Sequence, residues 1–322
     1  VDTLKAGAAL DAPGPVGEAW ELSVEPDFPS RLADGPTLDE VLRADPALLG
    51  VEAALGSTAL LVKLVDAADD LSVQIHPTDS DPALAPDESG KPEAWYIIDA
   101  DPGAGLYVGF RAGVSRAEIE NAIDEQGAVD ELMTFVPVAP GDVFLIEPGT
   151  AHAIGSGVLL LEPQRVSPGK RGITYRYWDW NRRYDAAGRR DPNGKPRALH
   201  RERALAVTRW TGPRGDALLD RIRHRAGPPA IEGDARLEVL ASDDGPLCSD
   251  VFRLQRLTGS GGIDLPSESR LRSLTVLNGR LAIDDGHTTL EVPRGCTAVL
   301  PACLDHVHVE LDAAHAVVCT LA

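Results

Sequence analysis

The sequence predicts a mainly β protein made of two related β-barrel domains, with a few helices in the N-terminal half. Three observations carry this. Short segments alternate apolar and polar residues with period two, as a strand with one buried face must. Gly- and Pro-rich turns separate them at close intervals. One unit, a glycine followed by an apolar strand, a proline and a turn, occurs twice: Pro140-Gly141-Asp142-Val143-Phe144-Leu145-Ile146-Glu147-Pro148 and Pro293-Arg294-Gly295-Cys296-Thr297-Ala298-Val299-Leu300-Pro301. The echo divides the chain into a first domain over 1–225, with the helical insertions, and a C-terminal β domain over 226–322.

In chain order, Thr37 precedes Leu38-Asp39-Glu40-Val41-Leu42, whose acidic residues suit the positive end of a short helix. Strands follow over 59–65 and 71–76, joined by a turn at 67–70. In the second, Ser72, Gln74 and His76 alternate with Leu71, Val73 and Ile75, so the polar trio shares a face, and Pro77 ends the strand. Another strand covers 94–98. Residues 115–135 have helical spacing, with Ser115 as N-cap and Glu118 three later. Strands over 143–146 and 158–162 flank the turn Glu147-Pro148-Gly149-Thr150, and 201–210 reads as helix. Beyond about 230, Asn278-Gly279 between two apolar runs predicts a tight hairpin over 274–283.

Of the 322 residues, 43% are hydrophobic and 25% charged, ordinary values for a globular protein. No apolar run reaches membrane-spanning length, and the start lacks a basic-then-apolar leader pattern. The net charge of −19 repels nucleic acid and anionic lipid, so neither is an expected partner. An anionic substrate would need a locally basic pocket. Lysine is scarce, at positions 5, 63, 91, 170 and 195 only. The four cysteines (Cys248, Cys296, Cys303, Cys319) form no Cys-x-x-Cys pair and read as reduced thiols of a cytoplasmic protein, a monomer or homodimer.

Gln74, His76, Glu93 and His152 are the candidate metal ligands. Imidazole and carboxylate suit a catalytic zinc, which keeps one position open. Gln74 and His76 lie two apart on a strand, Glu93 opens the next, and His152 follows a Pro-Gly-Thr turn. Each residue alone reads more readily as a solvated or hydrogen-bonded side chain, and only the set brings metal binding to even standing.

Three blocks together resemble the type I mannose-6-phosphate isomerases in their short bacterial form: Leu71-Ser72-Val73-Gln74-Ile75-His76-Pro77, Lys91-Pro92-Glu93-Ala94-Trp95-Tyr96-Ile97-Ile98 and Pro148-Gly149-Thr150-Ala151-His152-Ala153-Ile154-Gly155-Ser156-Gly157. Gly17 to Ser23 and Thr174-Tyr175-Arg176-Tyr177-Trp178-Asp179-Trp180 add to the likeness, in family order across roughly 15–210. The resemblance implies two cupin-type jelly-roll domains, the second without metal, and one zinc per chain held by Gln74, His76, Glu93 and His152. It implies interconversion of mannose-6-phosphate and fructose-6-phosphate through an enediol. Arg176, Glu162 and Lys91 would be catalytic, and Ser72, Lys63 and Arg182 would bind the hexose phosphate. The stretch between Glu162 and Arg176 is longer than the family pattern, which leaves Arg171 as the alternative arginine. A non-catalytic sugar-binding cupin, or an isomerase of another sugar, would share the scaffold. The C-terminal histidines, His306 and His308 among them, lack a nearby carboxylate pattern and read as structural.

Overall fold

The computed structural model describes residues 4–5, 15–33, 35–125 and 127–322. Three antiparallel sheets and a layer of helices stack in succession. The first sheet orders Glu18–Leu22, Leu60–Ala67, Val158–Arg165, Glu93–Ala100, Asp142–Ile146 and Arg223–Arg225. The second orders Tyr175–Trp178, Val73–Ile75, His152–Ile154, Gly105–Phe110 and Met133–Pro137. The third lies within 236–321 and is built on three long strands, Phe252–Leu265, Arg272–Asp284 and Val307–Leu321. The sheets are open and face one another, as the two walls of a jelly roll do.

Strand alternation decides what each face meets. On the first sheet Val65, Trp95, Ile97, Phe144 and Leu160 point inward and pack with Leu106, Val108 and Ile154 of the second. One residue out of phase, Leu64, Ala94, Tyr96, Val143 and Leu161 point the other way and share a core with Leu240, Phe252, Leu254, Val317 and Leu321 of the C-terminal sheet. The outer face of the second sheet (Val73, Ile75, Ala153, Tyr177) is covered by Ile119 and Ile123 of helix Arg116–Asp124 and by Ala204 and Leu205 of helix Arg201–Val207. The first sheet is thus buried on both faces, and a one-residue slip would exchange its polar inner set for leucines.

The expected helix starts are present. Thr37 with Glu40 and Ser115 with Glu118 each form a reciprocal capping box. Two expectations are corrected. The helix predicted over 115–135 ends at Asp124, because Val129 and Leu132 belong to a short 3-10 turn that feeds the strand Met133–Pro137. Asn278-Gly279 is not a hairpin turn. It sits inside the continuous strand Arg272–Asp284 at a register shift against Val307–Leu321. Gly279 has φ +66°, and a Cβ there would lie 2.3 Å from the Ala313 carbonyl oxygen, so the dipeptide serves a bulge. The strands Gly105–Phe110 and Met133–Pro137 and the helix Asp216–Ile222 had no counterpart in the sequence reading.

A buried polar contact crosses the seam between the first and third sheets. The Tyr96 hydroxyl and His315 Nε2 share a hydrogen bond of 2.9 Å. Burial, with Arg256 nearby, pulls the His315 imidazole down to about 3. The folded state therefore holds His315 neutral, while the unfolded chain takes up a proton below its ordinary value near 6.5. This contribution is complete above pH 6.5 and is lost as pH falls towards 3, by an amount on the order of a few kcal/mol. Urea unfolding at stepped pH should show this slope, and His315→Gln should flatten it; an equal slope in both proteins would remove His315 as its source.

Candidate active site

The functional side chains lie on the two faces that look at each other across the first interlayer space. On the first sheet, Lys63 stands opposite Glu162, and Gln164 opposite Glu93. On the second, Gln74 pairs with His152 on one side and Arg176 on the other. Directly opposed residues of antiparallel strands project to the same face. Arg176, Gln74 and His152 therefore form one row, and Lys63, Glu162, Gln164 and Glu93 form another facing it.

At the centre, ligand atoms of His76, Glu93 and His152 all lie within 4.8 Å of one another. His76 Nε2 is 3.1 Å from Glu93 Oε1, and His152 Nε2 is 3.6 Å from Glu93 Oε2. Exposure is 1, 1 and 0% for the three residues. His76 Nδ1 donates to the Ile173 carbonyl and His152 Nδ1 to the Thr150 carbonyl, both at 2.9 Å. A carbonyl only accepts, so each proton sits on Nδ1 and each Nε2 presents a lone pair. Burial pulls the His152 imidazole down to about 3, and burial with the Lys91 charge lowers His76, so neither ring takes a second proton near neutrality. Burial works against the Glu93 charge, but the Lys91 ammonium favours it and helps hold its carboxyl well below the usual carboxylate range. Both Nε2 atoms and Glu93 Oε2 are buried without a hydrogen-bond partner. Two lone pairs and a carboxylate converging with no proton between them are a donor set for a cation. This group can hold a metal ion.

Around the centre, Lys91 Nζ is 3.3 Å from Glu93 Oε1. Gln164, which the sequence reading missed, donates to Glu93 Oε1 at 2.6 Å and to Glu162 Oε2 at 2.8 Å. Trp95 Nε1 donates to the other Glu162 oxygen at 2.9 Å. The signal for Gln164 was its position two residues after Glu162, on the same strand face. Burial and the Glu93 charge push the Glu162 carboxyl up to about 8. Lys63 Nζ pairs with Glu18 at 2.9 Å and lies 3.8 Å over the Trp20 ring. Ser72 is buried two residues before Gln74.

The arginines separate. Arg176 is half-buried and donates from Nη1 to the Ala198 carbonyl at 3.1 Å. Arg171 is exposed and pairs with Asp87 and Glu88. Arg182 is tied to Asp179 and, at 3.2 Å, to Asp69; it lines a cavity of about 370 Å³ that none of His76, Glu93 and His152 lines. The structure therefore gathers His76, Glu93, His152, Lys91 and Glu162 together, sets Gln74 and Arg176 in the row of His152 and Lys63 opposite Glu162, and ties Arg182 to Asp179 and Asp69. If the triad is the cation site, His152→Ala should remove one equivalent of bound divalent metal per chain, read by metal analysis after dialysis. Unchanged stoichiometry would show that the ion binds elsewhere.

Known proteins resemble this chain in sequence and in fold. A family model described as "Phosphomannose isomerase type I, catalytic domain" matches residues 3–100. A mannose-6-phosphate isomerase of Streptococcus mutans is 31% identical over 290 residues, covering 88% of this chain and 82% of that protein. A probable mannose-6-phosphate isomerase of Bacillus subtilis is 32% identical over 291 residues, with coverage of 89% and 84%. In fold, a crystal structure of the mannose 6-phosphate isomerase from Bacillus subtilis matches with a TM-score of 0.75 at 23% identity, over 99% of this chain and 94% of that one. Spanning more than four fifths of two relatives above 30% identity, this chain belongs to the type I phosphomannose isomerase family.

Proposed function

We propose that this chain interconverts mannose-6-phosphate and fructose-6-phosphate, with the reaction centred on the space between the two facing sheets. The observation that carries the reading is the convergence of His76, Glu93 and His152 beside Lys91 and Glu162. Gln74, in the row with His152, is the proposed fourth ligand, and the nitrogen–oxygen donor set favours zinc. A bound divalent ion would supply fixed positive charge for the oxygen charge that develops as the proton moves between C1 and C2.

The protein's own groups divide the remaining work. A base for this reaction must take a carbon-bound proton and return it to the neighbouring carbon, which needs a group titrating near working pH. Glu162, pushed up to about 8, has that property, and Trp95 and Gln164 fix both its oxygens. Lys91 is a second proton carrier at the same place, already held against Glu93. Arg176 is a poor base, because guanidinium stays protonated in proteins; its role is electrostatic, towards the substrate oxygens. Lys63 meets an exposed carboxylate, Glu18, which a phosphate could displace, and Ser72 adds a hydroxyl on the same side. The local basic groups answer the net charge of −19, which by itself repels a sugar phosphate.

Arg182 was expected at the phosphate. Its two carboxylate partners favour a structural part in holding the loop after Trp178, unless substrate draws it away.

A coupled assay with mannose-6-phosphate checks the reading. Metal-replete protein should turn over and chelation should abolish the rate; no turnover of any hexose phosphate by the replete protein sinks the proposal. Glu162→Gln, which keeps the shape and one of the two accepting oxygens, should lower kcat by roughly 10²–10⁴-fold. Lys63→Ala should raise KM for the phosphorylated sugar with little change in kcat.

A further inference from the structure

Arg176 lies on Tyr175–Trp178, the edge strand of the second sheet, beside Val73–Ile75. An edge strand leaves backbone groups unpaired on its outer side, and those groups need other partners. Gln74 stands opposite Arg176 in the register. Directly opposed residues of antiparallel strands exchange both backbone hydrogen bonds or neither. Here both backbone groups of Arg176 go to a single residue outside the sheet, His200. The Arg176 N–H donates to His200 Nδ1 at 3.0 Å, and the Arg176 carbonyl accepts from the His200 N–H at 2.8 Å.

The same short segment holds the side chain. Arg176 Nη1 donates to the Ala198 carbonyl at 3.1 Å, so residues 198–200 grip the arginine at both ends. His200 is in turn fixed by the helix that begins after it. Its carbonyl accepts from the Ala204 N–H at 2.8 Å, and Ala204 and Leu205 of that helix pack on the outer face of the sheet. Arg203 of the same helix donates to the Tyr175 hydroxyl at 2.8 Å, and the His200 ring lies edge-on to the Tyr175 ring with centroids 6.2 Å apart. The hydrogen bond to Nδ1 needs a lone pair there, so the ring is neutral and carries its proton on Nε2. Partial burial and the Arg176 charge both lower the imidazole from its ordinary value, which favours that form near neutrality.

We infer that His200 is a positioning residue for Arg176, closing the sheet edge with a side-chain acceptor and a backbone donor and so fixing the backbone that carries the guanidinium. The inference rests on the isomerase reading and on the electrostatic part given there to Arg176. A misplacement of about 1 Å can cost about 10²-fold in rate, so a bond that adds little to folding can still govern turnover. His200 lies 24 residues beyond Arg176, too far for a local sequence pattern to join them.

The test compares His200→Phe, which keeps a flat ring beside Tyr175 but offers no acceptor, with His200→Asn, whose Oδ1 stands where Nδ1 did. Both keep the backbone N–H that serves the Arg176 carbonyl. In the metal-replete coupled assay with mannose-6-phosphate, His200→Phe should lower kcat by about 10-fold with KM nearly unchanged, and His200→Asn should stay within about 2-fold of the wild type. In an Arg176→Ala background, which keeps the backbone but has no guanidinium to position, His200→Phe should add no further loss. Bound metal per chain and the urea unfolding midpoint should match the wild type in both His200 variants. Equal kcat in His200→Phe and the wild type would overturn the positioning role. So would a loss that His200→Asn shares, a loss that tracks lost metal or lost folding, or an undiminished further loss in the Arg176→Ala background. A wild type without turnover would instead remove the isomerase reading, and this inference with it.

Discussion

The structure is organised around one buried carboxylate, Glu93, placed between two imidazoles that cannot share a proton with it. An ionised carboxylate removed from water costs several kcal/mol unless it is paired. Here Gln164 and Lys91 satisfy one oxygen and leave the other facing His152. A cation held here would satisfy the remaining donors, and its occupancy would then be linked to folding stability. Two sheet registers set it up: Gln164 against Glu93 on one wall, and Gln74 against His152 on the other.

That dependence explains why the first sheet is sandwiched. Its inner face carries Lys63, Glu93, Glu162 and Gln164, a poor surface for a hydrophobic core. The outer face makes up for this by burying leucines, Tyr96 and Val143 against the C-terminal sheet. Trp95 and Tyr96 are adjacent and point in opposite directions, one to Glu162 and the other to His315. The C-terminal sheet therefore supports the strand that carries Glu93 and Trp95 without contributing to the His76-Glu93-His152 group.

Electrostatics follows the same division. The acidic surface and the basic groups around the centre oppose each other, and the basic groups act only over short range because salt screens the rest. Lys63 and Lys91, two of only five lysines, lie on the inner walls, while most arginines are spent on surface carboxylates such as Asp69, Asp87 and Glu147. A compact ammonium can exchange one carboxylate for a phosphate more readily than a guanidinium held by several partners, as Arg182 is.

The resemblance to a family, not spacing, joined Glu93 and His152 to His76, while the sequence by itself determined the β class, the two helix starts and the alternation that aims Gln74 and His76 the same way. These are local patterns, or motifs whose spacing is fixed by strand period two. It could not settle Arg176 against Arg171, because only strand pairing puts Arg176 in the row of Gln74 and His152 and leaves Arg171 on the surface. It misread Asn278-Gly279, since a bulge and a hairpin both ask for positive φ and differ only in whether the partner strand continues. Gln164 between Glu93 and Glu162 was decided by tertiary structure alone. It joins residues on different strands, and cross-strand register is set by packing over the whole sheet rather than by any short stretch of chain.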